Sequence, residues 1–255
     1  MVFNSTVCGS SHKAVGKMCQ DYSLTWQDPA QNLSIAIVSD GHGGEKYVRS
    51  DLGSWLACQV TLDTIREYAG FVSEKEELTA ESLQTLFTAI YTRWSSFIQD
   101  LDAQSPLYRY GCTLMAYVQT GKWWMAFQLG DGKLVMKHRD DTSKSNSDSF
   151  CQPVPWDDRC ILNVTTSLCD EDAIHEFRYA VGKEPPAAVF LGSDGLDDTF
   201  GDGERLYRFY QHLLDSLQEE GLFRIRLHLP DVLSHYSEVG SHDDMSVAAV
   251  INQNL

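Results

Sequence analysis

The sequence predicts an α+β fold. Strand-like apolar runs come in blocks, over residues 2–8, 20–26 and 35–38, then 111–119, 123–129 and 133–138, then 177–181, 188–191 and 245–251. Helical stripes come in pairs between those blocks, over 45–69 with 79–101 and over 205–217 with 223–236. The two kinds do not alternate regularly, which argues against a parallel β-α-β sheet. No internal repeat or linker divides the chain, so residues 1–255 read as one domain.

Each element has a local reason. Residues 2–8 are apolar and β-prone, and 9–17 form a polar, glycine-containing turn with His12, Lys13 and Lys17. The run from Gln20 to Trp26 starts a second strand, which turns at Pro29. Ile35 to Val38 is a short apolar, partly β-branched run of the kind that fills a buried strand. Val48, Leu52, Trp55, Leu56, Val60, Leu62 and Ile65 then recur at three- and four-residue intervals, predicting a helix that Gly70 closes. Leu83, Leu86, Phe87, Ile90, Trp94 and Phe97 line one face of a second helix. The turn Thr120-Gly121-Lys122 joins two strands as a hairpin. Residues 139–149 are rich in Asp, Ser, Thr and Asn and predict a solvated loop, and 150–160, with two prolines, read as irregular. The late helices are expected to be interrupted by Gly221 and by Pro230.

Four apolar strands carry an aspartate at one end. Ala36 to Ser39 runs into Asp40-Gly41-His42-Gly43-Gly44, and Met125 to Leu129 into Gly130-Asp131-Gly132. Ala188 to Ser193 runs into Asp194-Gly195-Leu196-Asp197-Asp198, and Gly240-Ser241-His242-Asp243-Asp244 precedes Met245 to Ile251. One such pair would be an ordinary turn. Four converge if the strands lie side by side, and packed carboxylates repel unless a cation sits among them. Carboxylate, carbonyl and water oxygens are what Mg²⁺ and Mn²⁺ prefer.

Charge and cysteine bound the partners. The net charge of -16 and pI near 4.7 exclude a nucleic-acid partner, which would need Lys and Arg, and disfavour an anionic membrane surface. No apolar run reaches transmembrane length, and the first residues lack the basic start and apolar core of a signal peptide. The 7 cysteines form no CxxC pair and read as reduced core residues, which implies a cytoplasmic setting; Cys19 beside Asp21 is held in reserve as a redox-sensitive thiol. No Cys-x5-Arg phosphate loop is present.

The motifs Asp40-Gly41-His42-Gly43-Gly44, Gly111-Cys112-Thr113-Leu114, Gly130-Asp131, Ser193 to Asp198 and Asp243-Asp244-Met245-Ser246 together resemble the metal-dependent Ser/Thr protein phosphatases of type 2C, in the bacterial style, in that family's order and over residues 9–251. The resemblance implies two packed antiparallel β-sheets flanked by helices, an α-β-β-α sandwich with the metals at one end. It implies hydrolysis of phosphoserine or phosphothreonine in proteins by a water bridging two Mg²⁺ or Mn²⁺ ions, with no enzyme nucleophile. A phosphorylated protein would be the partner, the class that includes Ser/Thr kinases and their targets.

By the same resemblance, Asp40 bridges both ions, the Gly41 carbonyl adds a contact, and Asp194 and Asp243 complete one shell. Asp131 and Asp198 match acids that hold a third ion in some relatives. Asp21 acts close to the metals, and Gln20 stands beside it where many relatives have glutamate, keeping an oxygen for a metal-bound water. Asp197 and Asp244 are left as supporting or structural acids. His42 is expected to be the general acid, an imidazolium with a near-neutral pKa. Gly16 stands where many relatives place a phosphate-gripping arginine. Either His12, Lys13 or Lys17 replaces it, or the metals hold the phosphate alone. Two rivals follow: a catalytically weak, phosphatase-like regulatory binding module, and a metallohydrolase of small phosphoesters. Substrate choice is expected to lie in residues 139–172.

Overall fold

The computed structural model describes residues 1–72, 78–139, 149–160, 164–201 and 203–252. Among the described residues, ten strands form two antiparallel sheets. One sheet runs β1 (Val2–Val7), β10 (Met245–Ile251), β9 (Ala188–Gly192), β6 (Lys133–Lys137) and β7 (Phe150–Cys151). The other runs β2 (Tyr22–Asp28), β3 (Leu33–Ser39), β4 (Leu114–Gln119), β5 (Trp124–Leu129) and β8 (Arg178–Gly182). Helices α2 (Ser50–Val72) and α3 (Ala80–Leu101) pack on the second sheet; α5 (Asp194–Phe200), α6 (Gly203–Glu220) and α7 (Leu222–Val239) pack on the first. The expected sandwich of two packed sheets with helices outside is the observed one.

Period-two side-chain alternation builds three apolar layers. On β3, Ile35 and Ile37 join the core under α2 and α3, while Ala36 and Val38 join the layer between the sheets. On β9, Ala188 and Phe190 meet α6, and Val189 and Leu191 fill the middle layer. Strands covered on both faces read as unbroken apolar runs, which is why these two stood out in the sequence.

Several elements differ from expectation. Residues 9–17 contain a short helix, α1 (Ser10–Val15), closed by Gly16 in the left-handed region at φ 69°. α2 starts at Ser50, five residues after the expected 45, because 43–49 are spent on turns. Thr79 caps α3 with its side chain. β4 starts at Leu114, after a 3-10 turn at Leu107–Tyr110 and an isolated bridge from Cys112 to Gly41. Pro230 does not interrupt α7: a proline removes one amide donor, and buried Ile225, Leu229 and Leu233 hold the helix on both sides of it. Residues 150–160 contribute the two-residue strand β7, paired with β6. The short helices α4 (Ala173–Glu176) and α5 lie where no helix was expected. Residues 140–148 and 161–163, part of the expected loop and specificity segment, lie outside the described residues. No helix among the described residues is long and apolar enough to cross a membrane.

Candidate active site

The strand-end aspartates gather at one mouth of the sandwich, in a cleft of about 910 Å³. β3 ends at Ser39, and the next residue, Asp40, is pinned on both sides of its peptide. Its N–H donates to the Thr113 hydroxyl at 3.1 Å, and its carbonyl accepts from the Thr113 N–H at 2.8 Å. Gly41 follows because nothing larger fits: a Cβ there would lie 2.5 Å from the Gln20 carbonyl oxygen and 2.6 Å from that of Ser50. β9 delivers Asp194 as the first residue of α5, with Asp197 and Asp198 in the following turn. Asp243 precedes β10, with a side chain 54% exposed. Asp40, Gly41, Asp131, Asp194, Asp198 and Asp243 all line the cleft, as do Gln20, His12 and His42.

Electrostatics set this cluster apart from turn aspartates. Burial, then repulsion from Asp244, pushes Asp21 well above the usual carboxylate range, and burial with repulsion from Asp194 does the same to Asp40. Asp194 is raised to about 6 by burial, while a hydrogen bond from the Asp40 carboxyl opposes the rise. Burial also raises Asp131 and Asp198. Asp21 Oδ2 and Gln20 Oε1 are buried with no hydrogen-bond partner. An oxygen-only donor set with crowded, partly protonated carboxyls and orphaned oxygens fits a hard divalent cation. Asp40, Gly41, Asp194 and Asp243 could hold it, with Asp131 and Asp198 at the outer side. Asp21 does not line the cleft; it is 5% exposed, behind the other acids.

Gln20 and Asp244 are held by this chain's own groups. The Gln20 amide nitrogen donates to the His42 carbonyl at 3.1 Å and to the Ser50 hydroxyl, which leaves Oε1 as the free acceptor. Asp244 accepts the backbone N–H groups of Gly9 and Gln20, each at 2.6 Å, and pairs with His12 Nδ1 at 3.0 Å. Its role is to knot the segments that carry the other groups.

The three expected phosphate cations separate. His12 lines the cleft, with Nε2 3.9 Å from Asp243 and 3.4 Å from Lys17 Nζ. Lys17 does not itself line the cleft, but it is half-buried and donates to the Gly43 carbonyl at 3.0 Å, at the glycine loop that does. Lys13 is exposed and does not line the cleft. At Gly16 a Cβ would meet nothing within 4 Å. His42 departs from expectation. Burial lowers its pKa to about 4, Lys46 adding to the effect, so the free ring is neutral at pH 7. Its Nε2 bonds Ser167 Oγ at 2.7 Å, and its ring meets the edge of Tyr47 at 4.7 Å.

Lys46, Tyr47, Lys133 and Trp156 are among the cleft residues that had not been singled out. Lys133 had a legible signal, since it lies two residues after Asp131 and so shares its parity at the head of β6. Trp156, like the His42 partner Ser167, comes from irregular chain, where no periodicity reports position. Cys19 is half-buried, and burial raises its thiol pKa beside Asp21, which makes it unreactive.

A family model described as Protein phosphatase 2C matches residues 8–234. No curated protein matches the sequence. Among solved structures, PppA, described as a key regulatory component of T6SS in Pseudomonas aeruginosa, is 20% identical with a TM-score of 0.60, over 98% of this chain and 96% of that one. The S. agalactiae serine/threonine phosphatase is 14% identical with a TM-score of 0.61, over 99% of each chain. The catalytic domain of the serine threonine protein phosphatase PstP, in complex with 2 manganese ions, is 16% identical with a TM-score of 0.59, over 99% of this chain and 98% of that one. At these identities the likeness is one of fold.

Proposed function

The chain belongs to the protein phosphatase 2C family, and from that premise we propose that it hydrolyses phosphoserine and phosphothreonine in proteins with Mg²⁺ or Mn²⁺. The observation that carries this reading is the buried carboxylate cluster at the cleft, in which burial and neighbouring acids push Asp21, Asp40 and Asp194 up. Asp40, Gly41, Asp194 and Asp243 would hold two ions. When bound, such ions activate water and neutralise phosphoryl oxygens.

The rest is done by side chains. Lys17, fixed at the Gly43 carbonyl, and His12, oriented by Asp244, stand at the rim as phosphate contacts in place of the family arginine. Asp244 Oδ1 is hydrogen-bonded to His12 Nδ1, so Nε2 faces Asp243 and Lys17. Gln20 Oε1 is a fixed acceptor for a water in the cleft. His42 is the proton donor to the leaving alkoxide. Its ring is neutral in the free protein, and the negative charge of an entering phosphate favours the protonated form. Ser167 and Tyr47 hold the ring in place throughout.

The low pKa of His42 and the glycine at position 16 give weight to a second reading, a module that binds phosphoproteins and turns them over weakly. Hydrolysis of a phosphothreonine peptide with Mn²⁺, with chelator, and by Asp40→Asn and Asp194→Asn tests both. Turnover that needs metal and falls by orders of magnitude in each variant is expected. Peptide binding without turnover in the wild type selects the second reading. Undiminished turnover in Asp194→Asn would overturn the first.

A further inference from the structure

The outer side of the acid cluster contains a cation of the chain's own. Lys133, at the head of β6, places Nζ 3.5 Å from Asp197 Oδ2 and 3.6 Å from the centre of the Trp156 ring. The side chain is only 16% exposed. Lys133 and Trp156 line the cleft together with Asp131, Asp197 and Asp198. Ammonium over an indole face, with a carboxylate beside it, is a doubly held position.

Three acids at one edge would by charge alone draw a divalent ion. An ion entering there would meet the Lys133 charge or have to displace it from both partners. Resting on the reading that Asp40, Asp194 and Asp243 hold two ions, we propose that Lys133 is a built-in counter-cation for Asp131, Asp197 and Asp198. It takes the place of a further divalent ion, so the centre holds two. The same contact ties Trp156, and with it the chain around residue 156, to the cleft floor.

The test counts ions. Metal-stripped wild type, Lys133→Met and Lys133→Arg are titrated with Mn²⁺ by calorimetry, with circular dichroism to verify folding. Lys133→Gln replaces the methionine variant if that one fails to fold. Expected are two Mn²⁺ per chain for wild type and Lys133→Arg, three for Lys133→Met, and two again for Lys133→Met combined with Asp198→Asn. Two ions in Lys133→Met, three in wild type, or three in Lys133→Arg overturns the proposal while leaving the two-ion reading intact. A wild type that takes up no Mn²⁺ overturns that reading as well.

Discussion

Asp40 and Asp194 meet at the cleft although one follows β3 and the other follows β9, in different sheets, and the charge of Asp194 pushes Asp40 up. A divalent ion between them would relieve that repulsion, so metal affinity and fold stability are linked.

Mn²⁺ should therefore raise the melting temperature of the wild type. An ion that binds only the folded state adds about 2.7 kcal/mol at a hundred times Kd. Asp194→Asn removes a ligand and a repelling charge together. It should melt at or above the metal-free wild type, yet gain much less from Mn²⁺. Four thermal melts, each protein with Mn²⁺ and with chelator, decide this, and a full Mn²⁺ response in the variant would place the metal elsewhere.

The metal effect should depend on pH in a stated direction. A carboxyl whose pKa is raised by folding stabilises the fold while protonated. That contribution is complete below about 3.8 and is lost as pH rises through about 6, taking Asp194 as the guide. The chelated protein should lose this part of its stability across that window. The gain from Mn²⁺ should grow over the same window, because the ions then replace no protons. Melts with and without Mn²⁺ at about pH 5 and about pH 7 check the sign.

Lys17→Ala should raise KM for a phosphopeptide with a smaller effect on kcat. A charge-assisted contact is worth roughly 1.5–3 kcal/mol, or about 10- to 150-fold. Lys13→Ala, on an exposed side chain away from the cleft, should match wild type. Equal KM values in all three proteins would leave phosphate binding to His12 and the metals.

Asp244→Ala should destabilise the fold itself. It strips partners from the buried N–H groups of Gly9 and Gln20. Two such losses cost roughly 2–6 kcal/mol, and in a chain of this size they lower Tm by about 5–20 °C. A melt within about 2 °C of wild type would mean water replaces the carboxylate.

What the sequence made legible follows from burial. β3 and β9 are covered on both faces, so their apolar runs and the acids beyond them could be read directly. α5 could not, because its seven residues, Gly195 among them, are too few to show a helical stripe. The exclusion of Lys13 depended on α1, whose turns fix which side chains reach the cleft. The charge state of His42 depended on its burial and on Lys46, and its orientation on Ser167 and Tyr47, none of which spacing encodes. Lys133 could be placed beside Asp131 by parity, but its partner Trp156 arrives from irregular chain.

The pairing of β1 with β10 has a consequence for the order in which the cleft is assembled during synthesis. Ribosomes deliver β1, Asp21 and Asp40 well before Asp243. Until residues 245–251 emerge, β1 and β9 both lack their shared neighbour. Asp244 is likewise missing, so Gly9 and Gln20 are not yet tied together. A nascent chain thus carries an unfinished sheet and an incomplete set of acids. Docking of β10 joins β1 to β9 and brings Asp243 to the cleft in one event, so the first sheet and the acid cluster are completed together.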